Sequence, residues 1–183
     1  MSVRVTKYNP ALRDSEGRFL RNDWTCVSQV GSLVDGEVLA ASTYNQVEDN
    51  YVSVLTAIAR EAHLVEFRAQ QLEVYDPCER EGVRPIPPPI ELARQLGEPI
   101  SGERLELVIR ACLRSELWCK LVGEGGCEIH FGHDYYAYVT GVQPSGKLVW
   151  WARMNDIYVE LFESPYACCQ EETDALEDGE ELG

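Results

Sequence analysis

Four side chains that could bind a metal or carry out nucleophilic chemistry lie close together in the sequence: Cys127, His130, His133 and Asp134. Zinc takes thiolate and imidazole ligands on a small tetrahedron, and Cys-x2-His-x2-His could supply three of them. A thiolate beside a histidine base is also the core of a cysteine nucleophile. Residues three apart in a strand point to opposite faces, so Cys127 and His130 should diverge. We therefore expect a hairpin with a polar turn, and we predict neither a metal nor another cofactor.

The alternative that these residues leave open is a small cysteine- or metal-dependent enzyme that uses Cys127, His130 or His133. Phosphate chemistry is disfavoured, because the chain has no Gly-x-x-x-x-Gly-Lys-Ser/Thr loop and no Gly-x-Gly-x-x-Gly after a strand. The seven cysteines have irregular spacings, and the first ten residues lack the apolar segment of a secretory signal. Reduced thiols in a cytoplasmic protein are thus favoured over a disulfide framework. Cys112 is expected to be a core thiol.

Aromatic side chains are concentrated in the last third of the chain. They are Tyr135, Tyr136, Tyr138, Trp150, Trp151, Tyr158, Phe162 and Tyr166. In a strand Tyr136 and Tyr138 share one face and Tyr135 takes the other, so one set should be core and the other partly exposed. Exposed tyrosine and tryptophan rimmed by acids would suit a basic protein partner, although all of them could instead be core or sheet-surface residues. The partner contacts that we predict are Asp134, Tyr135, Tyr136, Glu160, Glu163 and Tyr166.

The chain is strongly acidic, with a net charge of −15 and a sequence pI near 4.5. Such a surface repels phosphate backbones, which disfavours nucleic acid as a partner, and it attracts basic proteins. The alternative is that the charge only aids solubility. Seven of the 31 acids lie between Glu171 and Glu181, and removing them from −15 leaves −8. We expect residues 168–183 to be a disordered acidic tail, and a further hypothesis is an interaction or regulatory module that binds through this tail.

The elements that must position these groups are predicted from hydrophobic periodicity. Residues 43–62 carry apolar side chains at intervals of three and four, which predicts a helix with Glu48 and Asp49 on its polar face. A second long helix is predicted to start at Ser101, and we favour a helix over 147–155. Strands are predicted at 117–122, 127–131, 135–139 and 157–162.

These elements predict an α+β fold in a single domain, residues 1–167. We expect an antiparallel sheet of about four to six strands packed against two long helices. No stretch approaches the ~20 apolar residues of a membrane helix, so we predict no contact with a membrane.

Both ends of the chain resemble small, largely uncharacterised bacterial proteins. The resemblance covers Lys7-Tyr-Asn-Pro10, Arg13-Asp14, Gly17-Arg18 and Asp23-Trp-Thr25 at one end, and His130-Phe-Gly-His-Asp-Tyr-Tyr136 and Val159-Glu-Leu-Phe-Glu-Ser-Pro-Tyr166 at the other. Some proteins of this kind resemble immunity proteins of polymorphic toxin systems, which block a toxin by binding it. The resemblance implies an inhibitor that binds and neutralises a bacterial toxin domain. The acidic charge of the chain favours a basic toxin domain, and toxins that attack nucleic acids are often basic. The resemblance assigns no role to individual residues.

Overall fold

A computed structural model describes residues 1–165 of the chain, so the predicted tail at 168–183 lies outside the described residues. The strands are β1 (Ser2–Thr6), β2 (Leu33–Val34), β3 (Glu37–Val38), β4 (Phe67–Val74), β5 (Leu117–Gly123), β6 (Glu128–Phe131), β7 (Tyr136–Thr140) and β8 (Tyr158–Leu161). Six of them form one antiparallel sheet in the order β4-β5-β6-β7-β1-β8, and β2 and β3 form a separate hairpin. The predicted antiparallel sheet is confirmed.

The helices are α1 (Ala41–Glu61), α2 (Pro89–Arg94), α3 (Gly102–Leu113) and α4 (Gly146–Met154). The sequence predicted two long helices, whereas the structure has α1 of 21 residues, α3 of 12 and two shorter ones. The predicted helix over 147–155 is confirmed as α4, whose first turn is capped by the Ser145 side chain. None of the helices in residues 1–165 is long and apolar enough to cross a membrane.

The core lies between the helices and one face of the sheet. Val3 and Val5 of β1 and their partners Val139 and Ala137 of β7 point to this face and are almost fully buried. Cys112 of α3 and Cys119 of β5 meet there, with 3.7 Å between their sulfurs. Burial raises the pKa of the Cys112 thiol well above its usual value. The prediction that Cys112 is a core thiol is confirmed.

The prediction that Glu48 lies on the polar face of its helix is wrong. Glu48 is fully buried, and its carboxylate accepts hydrogen bonds from Arg114 Nε (2.6 Å) and from an Nη of Arg110 (2.9 Å), both near the end of α3. The Tyr44 hydroxyl donates a further bond of 3.1 Å to the same carboxylate. A buried carboxylate is tolerated only with such partners, so the ion cluster joins α1 to α3.

The opposite face of the sheet carries a smaller charged cluster. Glu160 of β8 lies directly across from Arg4 of β1 in the strand register. Arg4 and Arg13 each place an Nη atom 3.0 Å from Glu160 Oε2. Arg13 belongs to the segment after β1, and this ion pair holds that segment beside β8.

Candidate protein-interaction site

An open cavity of about 460 Å³ lies at the end of the sheet where β1 finishes and β8 begins. Its wall comes from the residues after β1, the β2–β3 hairpin, the first turn of α1 and the turn between α4 and β8. Its charged and aromatic lining residues are Lys7, Phe19, Arg21, Asp23, Trp24, Asp35, Glu37, Asp156 and Tyr158. Four of these residues are acids and two are bases. We call this cavity the acidic pocket.

Two carboxylates of the acidic pocket are held by tight turns. Asp35 (φ 49°) and Gly36 (φ 86°) make the two-residue connection between β2 and β3, and Asp-Gly is typical of such hairpins. Asp156 (φ 55°) joins α4 to β8, in a left-handed conformation that aspartate adopts more readily than most residues. Within residues 1–165, neither of them nor Glu37 forms an ion pair. These three carboxylates are therefore available to a ligand.

Lys7 forms the inner wall of the pocket, and only 5% of its side chain is exposed. Its Nζ lies 2.6 Å from Asp23 Oδ2 and within 4.3 Å of the ring centroids of Trp24 and Tyr8. Burial lowers the pKa of Lys7 to about 8, and the hydrogen bond and charge of Asp23 oppose that shift. Below this pKa Lys7 neutralises Asp23, so the net negative charge of the pocket comes from the other three carboxylates, of which Arg21 offsets one.

A cluster of aromatic side chains supports the pocket from behind. The Trp24 ring lies 4.9 Å from Tyr135 and 5.3 Å from Tyr44. The Tyr51 hydroxyl accepts a 2.7 Å bond from the Lys7 backbone N–H and donates to the Tyr135 carbonyl. The Tyr135 hydroxyl donates to that of Tyr44 at 2.5 Å. Burial raises the pKa of both Tyr44 and Tyr135, so their phenols stay protonated and the hydrogen bonds persist at neutral pH.

The six predicted contact residues do not share one surface. Asp134 is exposed and Tyr136 half-buried, and both lie at the sheet end that holds the acidic pocket, with the Tyr136 ring 5.2 Å from Tyr8. Tyr135 is only 3% exposed. Its φ of 60°, after 57° at Asp134, turns the ring towards the helices. Tyr135 is thus a core residue, which corrects its assignment to the surface.

The remaining three predicted contacts are dispersed. Glu160 is half-buried and engaged with Arg4 and Arg13. Glu163 is exposed, but it follows Phe162, whose N–H bonds to the Ser2 carbonyl at the opposite end of the sheet. Tyr166 lies outside the described residues. Only Asp134 and Tyr136 of the predicted set therefore lie beside the acidic pocket.

The cysteine and histidine candidates lie on opposite faces of the sheet. Cys127 is buried in the core, and burial raises the pKa of its thiol to about 11, so little thiolate forms at neutral pH. His130 Nε2 lies 2.8 Å from Glu128 Oε2 on the other face, where burial lowers the pKa of the imidazole and Glu128 opposes the shift. His133 is exposed. Within residues 1–165 no three His, Cys, Asp or Glu side chains are grouped closely enough to hold a metal ion.

Sequence reasoning missed the acids that line the pocket. Its lining residues run from Lys7 to Tyr158, and no local pattern joins them. One signal was present, because Asp35-Gly36 lies between Leu33-Val34 and Glu37-Val38, and this arrangement is typical of a two-residue hairpin. The hairpin itself was predictable, whereas its position beside β8 depends on tertiary packing.

Comparison of the chain with models of known protein families, with curated proteins and with solved structures finds no match. The resemblance to immunity proteins at both chain ends therefore stays a prediction.

Proposed function

We propose that this protein is a cytoplasmic immunity-type inhibitor, and that its acidic pocket receives a lysine or arginine side chain of a basic toxin domain. The observation that carries the proposal is the lining of the pocket. Asp35, Glu37 and Asp156 form no ion pair within residues 1–165, and they surround a concave site with aromatic walls. The resemblance of both chain ends to immunity proteins also supports it.

The chemistry of the pocket favours a cationic side chain. A guanidinium bonds to carboxylates in a planar, often bidentate geometry and stacks on aromatic rings. The pocket offers both groups, because Phe19 and Tyr158 line it together with the three unpaired carboxylates. A toxin that acts on nucleic acid must itself present basic residues to phosphates. The net charge of −15 would speed its encounter with such a surface.

The test begins with the protein that the tagged chain captures at low salt from a lysate of the source organism. We expect a basic protein in near-equal amount, released at about 0.5 M salt, where exposed charges are screened. We also expect the chain to abolish the activity of that protein. The triple variant Asp35→Asn, Glu37→Gln and Asp156→Asn should then weaken binding at least about tenfold, mainly through faster dissociation. Asparagine also tolerates the left-handed backbone at positions 35 and 156.

The matched control is the triple variant Glu66→Gln, Glu79→Gln and Glu106→Gln, whose three acids are exposed and do not line the pocket. Both triples change the net charge equally, so the control should slow association slightly and leave dissociation unchanged. If the two triple variants change the dissociation rate equally, the acidic pocket is not part of the interface. If no basic protein is captured, or if the captured protein stays active in the complex, the proposed function is wrong.

A further inference from the structure

Strand β8 leaves one edge of the sheet open. The Phe162 N–H bonds to the Ser2 carbonyl at 3.2 Å, and the register continues with Arg4 opposite Glu160. Because hydrogen-bonded and non-bonded pairs alternate in an antiparallel ladder, Val159 and Leu161 direct their N–H and C=O groups away from β1. Among residues 1–165, β8 pairs with no strand except β1. These backbone groups form a template for another strand.

The opposite edge of the sheet, at β4, is protected. Phe67 exchanges two backbone hydrogen bonds with Ile100, of 2.9 and 2.8 Å, which covers the start of the strand. A register shift between Gln70 and Glu73, with Gln71 at a φ of 54°, interrupts the rest. Bulges and covered ends are the usual means by which proteins block edge pairing. Strand β8 contains no bulge, proline or lysine.

Exposed apolar side chains flank the open edge. Leu161 is 74% exposed, and because it lies opposite Val3, it is on the face of the sheet that the helices cover. Helix α4 packs beside β8 on that face and exposes Trp150 (63%) and Met154 (64%). These two residues are four positions apart and therefore neighbours on the helix surface. Between this helix and β8 lies a cavity of about 320 Å³ whose lining includes Val149 and Arg153 of α4, Val159 of β8 and, from the segment after β1, Asn9, Pro10 and Ala11. We call the unpaired edge of β8, this cavity and the exposed side of α4 together the β8 edge surface.

The charge of the β8 edge surface differs from that of the rest of the chain. Residues 146–155 contain Lys147 and Arg153 and no acid, in a chain whose net charge is −15. The one acid of β8, Glu160, bonds to both Arg4 and Arg13. Lys147 and Arg153 therefore offset part of the repulsion between two copies of this acidic chain, although Asp156 and Glu163 flank the strand. A basic toxin would gain no electrostatic attraction from this surface.

We propose that the β8 edge surface binds a second copy of this chain. Strand β8 of one copy lies antiparallel to β8 of the other, with Val159 opposite Leu161 across a twofold axis at Glu160. This register pairs every outward N–H and C=O of the two residues in both copies, and it joins two six-stranded sheets into one. It also covers the exposed Leu161 of each copy with the apolar surface of the other.

The test is sedimentation equilibrium of the full chain alone over a wide range of concentration. We expect a reversible rise from the 20.7 kDa of one chain to twice that mass. Leu161→Lys should raise the dimer dissociation constant at least about tenfold, because it places a charge at the contact. The matched control is Val65→Lys, since Val65 is 76% exposed, as apolar, and absent from β8. It should leave the dissociation constant unchanged.

A second measurement requires no variant. Hydrogen exchange of the wild-type chain should show the amides of Val159 and Leu161 gaining protection as concentration rises, while those of β4 do not. A monomer at every concentration would overturn the proposal. So would a dimer that Leu161→Lys and Val65→Lys weaken equally, or one that leaves the two amides unprotected. The test contains no toxin, so its outcome is independent of the proposed inhibitor function.

Discussion

Lys7 is the residue whose charge most directly affects the acidic pocket. Burial lowers its pKa to about 8 in the folded chain, from 10.5 for a free lysine. Between these two values the unfolded chain holds the proton more tightly, so the contribution of Lys7 to the free energy of unfolding should rise with pH from about 8 to 10.5. Burial raises the pKa of the Cys112 and Cys127 thiols, so these two groups contribute with the opposite sign at the upper end of the same window, and the Lys7 contribution is read as the difference between wild type and variant. Below about pH 8 Lys7 is charged in both the folded and the unfolded chain, so the burial of its charge lowers the free energy of unfolding by the full amount. Lys7→Met should remove this component, as measured by urea denaturation at several pH values across the window.

The control for this residue is Lys147→Met, which removes an exposed ammonium of α4. It should leave the pH dependence of stability between pH 8 and 10.5 the same as in wild type. Lys7→Met also frees Asp23 from its 2.6 Å ion pair, which makes the pocket more negative. A basic partner in the pocket should therefore bind Lys7→Met at least as tightly as wild type. A stability profile for Lys7→Met with the same pH dependence as wild type in this window would show that Lys7 does not contribute to it.

At the scale of elements, the connection between α1 and α3 depends on Glu48. Its fully buried carboxylate accepts bonds from Arg110, Arg114 and Tyr44. Glu48→Gln leaves the buried Arg114 guanidinium without its ion-pair partner and Arg110 with Asp49 alone, so it should lower the free energy of unfolding by about 3–5 kcal/mol. Urea denaturation at neutral pH measures this loss.

The comparison for Glu48 is Glu61→Gln at the other end of α1. Glu61 is exposed and accepts a 2.9 Å bond from the Ser145 backbone N–H. Glu61→Gln should therefore lower the free energy of unfolding much less than Glu48→Gln does. If the two variants lose similar stability, the buried ion cluster contributes no more than a surface contact. A concurrent loss of Trp24 burial, seen by fluorescence, would show that the cluster also supports the aromatic side chains behind the pocket.

Helices and the sheet were predictable from sequence because their signals are local. The stripe of apolar residues predicted a helix over 43–62, and α1 spans Ala41–Glu61. The same local pattern misplaced Glu48, because its partners Arg110 and Arg114 lie 62 and 66 residues further along the chain. Tyr135 lies on the helix side of the sheet, opposite to Tyr136 and Tyr138 as strand alternation predicted, but it was wrongly named a partner contact because the alternation does not show which face the helices cover. The acidic pocket was not predictable, since packing alone brings Asp35 beside Asp156.

At the scale of the whole molecule, charge separates two surfaces. The acidic pocket carries unpaired carboxylates at one end of the sheet, whereas the β8 edge surface is apolar with Lys147 and Arg153. If both proposals hold, an antiparallel twofold at Glu160 directs the two pockets to opposite ends of the joined sheet. Each copy could then bind its own toxin domain without steric conflict.

The acidic residues at 168–183 provide the last test at this scale. Seven acids lie there, and deleting them changes the net charge from −15 to −8. If the pocket makes the contacts, deletion should slow association and reduce its dependence on salt, with dissociation nearly unchanged. Stopped-flow mixing with the captured partner at several salt concentrations measures both rates. A full-length chain with those seven acids replaced by Asn or Gln controls for length and should behave like the deletion. Complete loss of binding in both would instead assign the contacts to the tail, as the regulatory-module hypothesis requires, and would leave the pocket without a partner.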